Sequence, residues 1–326
     1  MTEAAAELPP PGRIRRAAGS HRAAGIAMAV TGALLFSING SVAKIALQSG
    51  LDSLSLVLLR SAGAGLALLV VVAWSDRSRL RLRRAEIPLL LLYGLVGIAM
   101  VQWLYFVALA RMPVGIALLI EFTGPVLVAL WVHFVQRQRL GRSLWLALAL
   151  ALAGLAMVAQ IWSGLDFDLV GVLASFGAAI SLATYYIAGK NMLSGRDTVS
   201  VTFWAFAVSA LFWSVVKPWW TVPWAALGEE VTLPGSLEVT TATWVLVAWV
   251  VVLGTLAPFL LVVGALKRLV PTEAGVLGMV EPVLAGAVAW VWLGEALTAV
   301  QVVGSLVVIA GIIVAQRASQ RATQQP

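Results

Sequence analysis

The sequence predicts an all-α membrane protein with ten transmembrane helices, arranged as two inverted five-helix repeats. Three observations lead to this fold class. The first is composition: 61% of the 326 residues are apolar or aromatic and 11% are charged, whereas soluble domains are about 45–50% apolar and about 25% charged. The second is a series of ten long apolar stretches, and the third is an internal repeat that runs through them.

Each apolar stretch is about as long as a helix that crosses the hydrocarbon layer, which needs about 20 mostly apolar residues. We place the ten helices at residues 24–46, 53–74, 87–109, 114–135, 142–162, 169–189, 199–219, 243–264, 271–293 and 298–316. The first is longer than the apolar core of a secretory signal and contains Asn39 and Lys44, which favours a retained helix over a cleaved signal peptide. The seventh, with its exit KPWWTVPWAALGEE, is the least well defined.

The basic residues predict the orientation. If the N-terminus is cytoplasmic, 18 of the 22 Lys and Arg residues fall on the cytoplasmic side, as the positive-inside rule requires. The four others are Lys44, Arg60, Arg111 and Lys217. Acidic residues gather at the external loops: Asp52, Asp166, Asp168, Glu229, Glu230, Glu238 and Glu295. We therefore expect both termini to be cytoplasmic, and we interpret the net charge of +7 as a topology signal and not as a nucleic-acid-binding surface.

The internal repeat has a constant register. The segment GIAMVQWLYFVALARMPVGIALLIEFTGPVLVALW aligns without a gap with GTLAPFLLVVGALKRLVPTEAGVLGMVEPVLAGAV, so that Gly97 meets Gly254 at an offset of 157 residues. The earlier helices align at an offset of 146, which places Lys44 on Lys190. The second half therefore has 11 extra residues, and the long loop at 217–242 is the place where we expect them.

Two copies of five helices must be antiparallel, because an odd number of spans inverts the second copy. We divide the chain into an N-terminal tail, two repeats and a C-terminal tail, at residues 1–22, 23–162, 168–317 and 318–326. Inverted repeats are typical of secondary transporters, in which substrate binds near the membrane midplane. A duplication kept only as a stable scaffold stays open as the alternative.

Charged residues inside the apolar stretches are the candidate functional residues. Glu121 lies about eight residues into the fourth helix, where a carboxylate is costly unless it faces the bundle interior and has a partner. Pro125 crowds the carbonyl of Glu121, and we expect Pro125, Pro258 and Pro282 to kink their helices. Arg60 lies at a similar depth in the second helix. We expect a pair of Arg60 and Glu121 that either holds the helices together or binds the two charged groups of an α-amino acid.

Glu281 is the second candidate carboxylate, near the middle of the ninth helix and directly before Pro282. We expect Glu281 to exchange a proton during a transport cycle, because protonation makes burial of a carboxyl group tolerable. A neutral Glu that is permanently hydrogen-bonded at a kink is the alternative. Asn39, Gln102 and Tyr105, on the first and third helices, are candidates for lining the same cavity.

Several other classes of function find no support in the sequence. There is no cysteine, so a disulfide framework and a thiolate metal site are both excluded. His21 and His133 have no partner at metal-ligand spacing. No GxxxxGK[ST] loop occurs, which argues against ATP-driven transport, and no nucleophile with a base indicates an enzyme. We therefore expect no metal, no cofactor and no catalytic activity.

Three stretches carry a resemblance to a known family: GIALLIEFTGPVLVAL, YGLVGIAMVQWLYFVALARMPVG and MVEPVLAGAVAWVWLGEALT, together with LVLLRSAGAG around Arg60. The chain resembles EamA-type members of the drug/metabolite transporter superfamily, and most closely the bacterial threonine/homoserine exporters. The resemblance implies an inner-membrane carrier that exports a small, amino-acid-like metabolite by proton-coupled antiport.

The partners that we expect are the small-molecule substrate, protons and the lipid bilayer, without nucleic acid, and a homodimer stays open. Two alternatives also stay open. One is export of a different drug or metabolite, and the other is a non-transporting scaffold or lipid-handling protein on the same fold.

Overall fold

The computed structural model describes residues 11–109, 111, 114–162, 168–233, 239–293 and 296–324. Asp166, Glu238 and Glu295, which we expect at the external loops, lie outside the described residues. Within the described ranges, nine helices are long and apolar enough to cross a membrane, and the shorter apolar helix Arg142–Val158 adds a tenth. The predicted fold class, an all-α multi-pass membrane protein with ten helices, is confirmed.

The ten helices are numbered in chain order, and several consist of more than one segment. The first helix is Pro11–Leu47, the second is Ser53–Ser75 and the fifth is Arg142–Val158. The third consists of Ile87–Leu91, Leu92–Met100 and Val101–Leu109, and the fourth of Val114–Glu121, Gly124–Leu130 and Trp131–Val135. The sixth helix is Leu169–Met192, the seventh is Thr198–Val216 and the tenth is Ala299–Gln324. The eighth consists of Thr243–Val251, Val252–Leu256 and Ala257–Arg268, and the ninth of Pro271–Gly278 and Glu281–Leu293. Three of these segments, Leu92–Met100, Trp131–Val135 and Val252–Leu256, are π-helical.

Some helix ends differ from the sequence prediction for local reasons. The fifth helix ends at Val158 and not at 162, because Gln160 adopts a positive φ of 49° that a right-handed helix does not allow. The seventh helix ends at Val216 and not at 219, because Lys217 precedes Pro218 and is forced out of the helical region. The first helix extends further toward the N-terminus than predicted, to Pro11.

The two halves of the chain share their helix irregularities. The π-helical segment Val252–Leu256 of the eighth helix corresponds, at the offset of 157, to a part of the π-helical segment of the third. The fourth helix stops at Glu121 and resumes at Gly124, and the ninth stops at Gly278 and resumes at Glu281, again 157 residues apart. The repeat is therefore visible in the backbone as well as in the sequence.

The prolines predicted to kink helices lie at these irregularities. Pro125 and Pro282 are the second residues of the resumed segments, where the missing N–H has no helical partner to lose. The backbone is interrupted for two residues ahead of each proline. Pro258 is likewise the second residue of the segment that follows the π-helical turn of the eighth helix.

The closest backbone packing joins the fifth and tenth helices. A Cβ atom added to Gly154 would lie 2.6 Å from the carbonyl oxygen of Gly304, and one added to Gly304 would lie 2.7 Å from the carbonyl oxygen of Gly154. Small residues allow membrane helices to approach in this way. This pair consists of the last helix of each half.

The loop expected to hold the extra residues of the second half forms a small compact element. Two short 3₁₀ turns, Trp219–Thr221 and Trp224–Gly228, are followed by strand β1 (Glu230–Thr232) and strand β2 (Thr240–Ala242). The strands pair antiparallel, with Glu230 opposite Ala242. We call this side of the bundle the hairpin end, and the side with the two chain termini the N/C end.

Candidate functional site

The π-helical segment of the eighth helix holds the guanidinium group of Arg60. Arg60, on the second helix, is 5% exposed, and its Nε donates a hydrogen bond to Thr255 Oγ1 at 3.0 Å while Nη2 donates to the carbonyl oxygen of Gly254 at 3.3 Å. The Thr255 hydroxyl donates in turn to the Val250 carbonyl at 2.8 Å. π-Helical turns are frequent at functional sites, and this one supplies both acceptors for the arginine.

The expected pair of Arg60 and Glu121 does not form in this structure. Among the described residues, Arg60 has no ion pair within 4 Å with either Glu121 or Glu281, and Glu281 is the carboxylate whose charge acts on it. Equal depth in the membrane does not fix which way a side chain points around its helix. Arg60 points toward the eighth helix, on which the second helix packs through Gly63 against Val251.

Glu121 is the last residue before the break in the fourth helix, and its side chain is 9% exposed. Within the described part of the chain, its Oε2 atom is buried and has no hydrogen-bond partner. The nearest charged group that acts on it is the Glu281 carboxylate. A buried carboxylate oxygen without a donor is costly in a folded protein, so this atom is the one in the site that most needs a partner.

Glu281 is the first residue after the break in the ninth helix and is partly buried. Its carbonyl oxygen accepts a hydrogen bond from Ser37 Oγ at 2.9 Å, and the same hydroxyl contacts the Ala33 carbonyl at 2.7 Å. The first helix is thus tied to the ninth at the point where that helix is interrupted. Ser37 could not be selected from the sequence, because its partner is a backbone atom.

Two tyrosines flank the carboxylates. Tyr105, on the third helix, and Tyr186, on the sixth, each lie close enough to Glu121 and Glu281 to interact electrostatically with both. Tyr105 is one of the residues expected at the site, whereas Tyr186 is not. Tyr186 reaches it because the ninth helix has Gly278 there: a Cβ atom at that glycine would lie 2.6 Å from the Tyr186 hydroxyl oxygen.

Asn39 and Gln102, the remaining expected residues, are both 7% exposed. Asn39 Oδ1 lies against Gly254, whose carbonyl binds Arg60, so Asn39 belongs to the same region. Gln102 Nε2 donates to the Ile98 carbonyl at 2.8 Å, which leaves Gln102 Oε1 buried and without a partner among the described residues. Gln102 lies three residues before Tyr105 and therefore on the same face of the third helix.

The interior site thus brings together Arg60, Tyr105, Glu121, Tyr186 and Glu281, and we call these five residues the carboxylate cluster. With both carboxyl groups and the guanidinium ionised and both tyrosines neutral, the cluster has a net charge of −1. Such groups inside a membrane protein mark pathways of substrates or protons.

A second set of polar contacts closes the N/C end. Arg22, on the first helix, pairs with Glu273 at the start of the ninth, and also donates to the Gln316 side chain of the tenth at 2.7 Å. Lys190 Nζ, at the end of the sixth helix, donates to the carbonyls of Leu266 and Leu269 at 2.6 and 2.9 Å. These contacts join five helices, the first, sixth, eighth, ninth and tenth.

Lys44, which aligns with Lys190 in the repeat, differs from it in exposure and in bonding. Lys44, at the hairpin end of the first helix, is exposed. The bonded lysine and the exposed lysine therefore lie at opposite ends of the bundle, and the bonded one is at the N/C end.

Comparison with known proteins agrees with this architecture. The model of the EamA-like transporter family matches the chain twice, over residues 23–160 and 169–316. The chain is similar to the threonine/homoserine exporter RhtA of Salmonella typhimurium, with 29% identity over 246 residues, which cover 75% of this chain and 76% of that protein. Its similarity to the RhtA of Escherichia coli K12 is 28% over 252 residues, with coverage of 75% and 76%.

One solved crystal structure superimposes with a TM-score of 0.73 and 20% identity, over 92% of this chain and 99% of the other, and this likeness concerns the fold alone. The helix pattern, the cluster inside the bundle and the double family match lead to one conclusion. The chain is a multi-pass membrane transporter that belongs to the EamA-like transporter family of the drug/metabolite transporter superfamily.

Proposed function

We propose that the chain exports a small amino-acid-like metabolite from the cytoplasm in exchange for protons. The observation that carries this proposal is the pair of carboxylates at the two helix breaks, of which Glu121 has an oxygen without a donor in the described structure. A carboxylate in this situation is stabilised by either of two cations, a proton or a charged group of the substrate. Competition between these two cations for one carboxylate is the physical basis of antiport.

The names of the similar proteins support the choice of cargo. The relatives with 28–29% identity are threonine/homoserine exporters, and we transfer to this chain only the class of substrate, a small zwitterionic amino acid. The inner membrane as location and the cytoplasmic position of both termini belong to the same proposal, because they follow from the distribution of basic residues.

The closed N/C end supports an alternating-access cycle. Glu121 and Gln102 are both more than nine-tenths buried, so a substrate reaches them only after helices move apart. The contacts of Arg22 and Lys190 hold the N/C end together, and release of these contacts is the step that we assign to opening on the cytoplasmic side. Relative movement of the two halves is the general mode of motion in inverted-repeat transporters.

Transport by the purified protein in liposomes tests the proposal. Labelled L-threonine and L-homoserine are loaded inside, and we expect an outward pH-dependent exchange that an imposed proton gradient accelerates and a protonophore abolishes. Glu121→Gln should remove the exchange, while Glu230→Gln, a loss of one exposed carboxylate at the hairpin end, should retain it. Exchange that does not respond to the gradient would refute proton coupling, and absence of any exchange would refute amino acid export.

Orientation is tested separately by single cysteines, which are specific labels because the native chain has none. We expect a cysteine at position 80 to react only from the cytoplasmic side and one at position 230 only from outside. The reverse result would overturn the orientation.

A further inference from the structure

We infer that the carboxylate cluster recognises its substrate through a primary ammonium group, held by Glu121 and Gln102, and that the substrate carboxylate is dispensable for binding. This inference rests on the proposed function and specifies its substrate class. It differs from the sequence-based expectation, in which Arg60 binds the carboxylate of an amino acid. The ligand class is a small primary amine, of which amino acids are one kind.

The first argument is the kind of polar atom that is left free. Near the cluster, the buried side-chain atoms without a partner in the described structure include three that can only accept a hydrogen bond, Glu121 Oε2, Gln102 Oε1 and Asn39 Oδ1, and one hydroxyl that can donate or accept, that of Tyr185, whose ring contacts Tyr186. The assignment of the Gln102 oxygen is fixed, since the amide nitrogen of the same side chain donates to Ile98 at 2.8 Å. A site with unused acceptors fits a ligand that donates.

The second argument concerns Arg60, the cation that could have bound a carboxylate. Its Nε and Nη2 donate to Thr255 and Gly254 at 3.0 and 3.3 Å, and its charge faces Glu281. A substrate carboxylate that binds the remaining N–H donors of Arg60 would have to share the guanidinium charge with Glu281, and the two carboxylates would repel each other. No such competition exists at Glu121 Oε2, where a new donor meets a free acceptor.

The third argument is charge and geometry together. The ionised cluster has a net charge of −1, which a single cation neutralises. An ammonium group carries three N–H donors and no acceptor, so it has a donor for each of the two residues, Glu121 and Gln102. These two residues are 9% and 7% exposed, and hydrogen bonds to a charged group are strong in such surroundings. A carboxylate ligand would instead add a second uncompensated negative charge.

Two analogues of threonine separate the inference from its opposite. 1-Aminopropan-2-ol retains the ammonium and hydroxyl groups and lacks the carboxylate, and 3-hydroxybutyrate retains the hydroxyl and carboxylate groups and lacks the ammonium. The measurement is the thermal unfolding midpoint of the full-length protein in detergent, titrated with each compound and with L-threonine. We expect saturable stabilisation by L-threonine and by 1-aminopropan-2-ol and none by 3-hydroxybutyrate.

Variants assign the effect to the named residues. Glu121→Gln should weaken binding of 1-aminopropan-2-ol by roughly ten- to a hundredfold, the range for a hydrogen bond to a charged group, and Gln102→Leu by roughly two- to tenfold, the range for a neutral one. Gln102→Leu also serves if the Glu121 variant does not fold, and Glu230→Gln is the control with one carboxylate fewer outside the cluster.

The inference is overturned by any of three results: stabilisation by 3-hydroxybutyrate that equals that by 1-aminopropan-2-ol, no stabilisation by 1-aminopropan-2-ol, or unchanged binding of 1-aminopropan-2-ol in both Glu121→Gln and Gln102→Leu. Because binding is measured without transport, amine binding with no flux in liposomes would refute the proposed function and leave this inference standing.

Discussion

A double-mutant cycle decides which carboxylate compensates Arg60. The perturbations are Arg60→Gln, Glu281→Gln and Glu121→Gln, alone and in the two combinations that include Arg60. Arg60 is 5% exposed and its charge is met by Glu281, so Arg60→Gln leaves a carboxylate uncompensated inside the bundle. Removal of one partner of a buried ion pair costs about 3–5 kcal/mol, and we expect a smaller loss here because Arg60 and Glu281 form no ion pair within 4 Å among the described residues.

The magnitude of the coupling is what distinguishes the two carboxylates. Glu281→Gln in the Arg60→Gln background removes the stranded charge, and we expect a coupling free energy of about 2–3 kcal/mol, at the upper end of the range for residues that interact. The coupling between Arg60 and Glu121 should be smaller by at least about 1 kcal/mol, because Glu281, and not Glu121, is the carboxylate whose charge acts on Arg60 in the described structure.

The assay is unfolding of the purified variants in mixed detergent micelles with increasing SDS, followed by circular dichroism, with membrane abundance as the control for insertion. Equal slopes of the unfolding transitions would indicate that the variants unfold from the same state. A larger coupling of Arg60 with Glu121 than with Glu281 would refute this account of the site and restore the pair expected from the sequence.

Three further predictions concern the scaffold. Lys190→Met should lower the free energy of unfolding by about 1–3 kcal/mol in the same assay, because two backbone carbonyls lose a charged donor. The matched control is Lys44→Met, since Lys44 aligns with Lys190 in the repeat and is exposed. An equal effect of Lys44→Met would contradict the conclusion that only the lysine at the N/C end stabilises the bundle. Gly154→Ala should destabilise by about 1–3 kcal/mol, since the added methyl group meets a carbonyl at 2.6 Å, while Gly228→Ala, with no atom within 4 Å, should have little effect on the unfolding midpoint. Partial burial raises the pKa of Asp52, but hydrogen bonds from Ser55 and the Lys217 ammonium outweigh this effect and hold the pKa below the ordinary 3.8. The stability that ionised Asp52 contributes is therefore present above pH 3.8 and is lost as the pH falls through the lowered pKa. The unfolding midpoint of the parent should thus fall more steeply in acid than that of Asp52→Asn.

The arrangement of the helices could be predicted from the sequence because it depends on composition and repetition. Ten apolar stretches of membrane length and an ungapped internal alignment were sufficient for the fold class. The position of Pro125 also indicated where the fourth helix would be disturbed. The form of the disturbance is a two-residue interruption after Glu121, in which the N–H of Phe122 donates to the Leu118 carbonyl and the N–H and hydroxyl of Thr123 donate to the Ile120 carbonyl. A proline alone does not distinguish this interruption from a bend.

The partners within the site could not be predicted, for two physical reasons. Counting residues along a helix gives depth but not direction, and so Arg60 and Glu121 were matched although Arg60 faces the eighth helix. In addition, several hydrogen-bond acceptors in the site and at the N/C end are backbone carbonyls, those of Gly254, Glu281, Leu266 and Leu269. Any residue type has such a carbonyl, so the sequence does not mark the position.

The two carboxylates are not equivalent under the repeat, and this asymmetry bears on mechanism. At the offset of 157, EFTGP corresponds to GMVEP, so that Glu121 corresponds to Gly278 and Gly124 to Glu281. Each half thus has its carboxylate on the opposite side of its helix break. The glycine positions are filled by other groups, since a Cβ atom would lie 2.6 Å from the Tyr186 hydroxyl at Gly278 and 3.0 Å from the Ala179 carbonyl at Gly124.

A carboxylate at Gly278 would therefore displace Tyr186, and exchange of the two halves cannot convert the environment of Glu121 into that of Glu281. Glu281 has the charge of Arg60 nearby, while Glu121 Oε2 has no donor in the described structure and, in the proposed antiport, takes a cation from outside the protein. If the proposed antiport is right, Glu281→Gln should alter the stability of the site more than the stoichiometry of exchange, and Glu121→Gln should abolish exchange itself. Measurement of the proton-to-substrate ratio in liposomes for Glu281→Gln checks this division, and an uncoupled substrate flux in that variant would show that Glu281, and not Glu121, carries the exchanged proton.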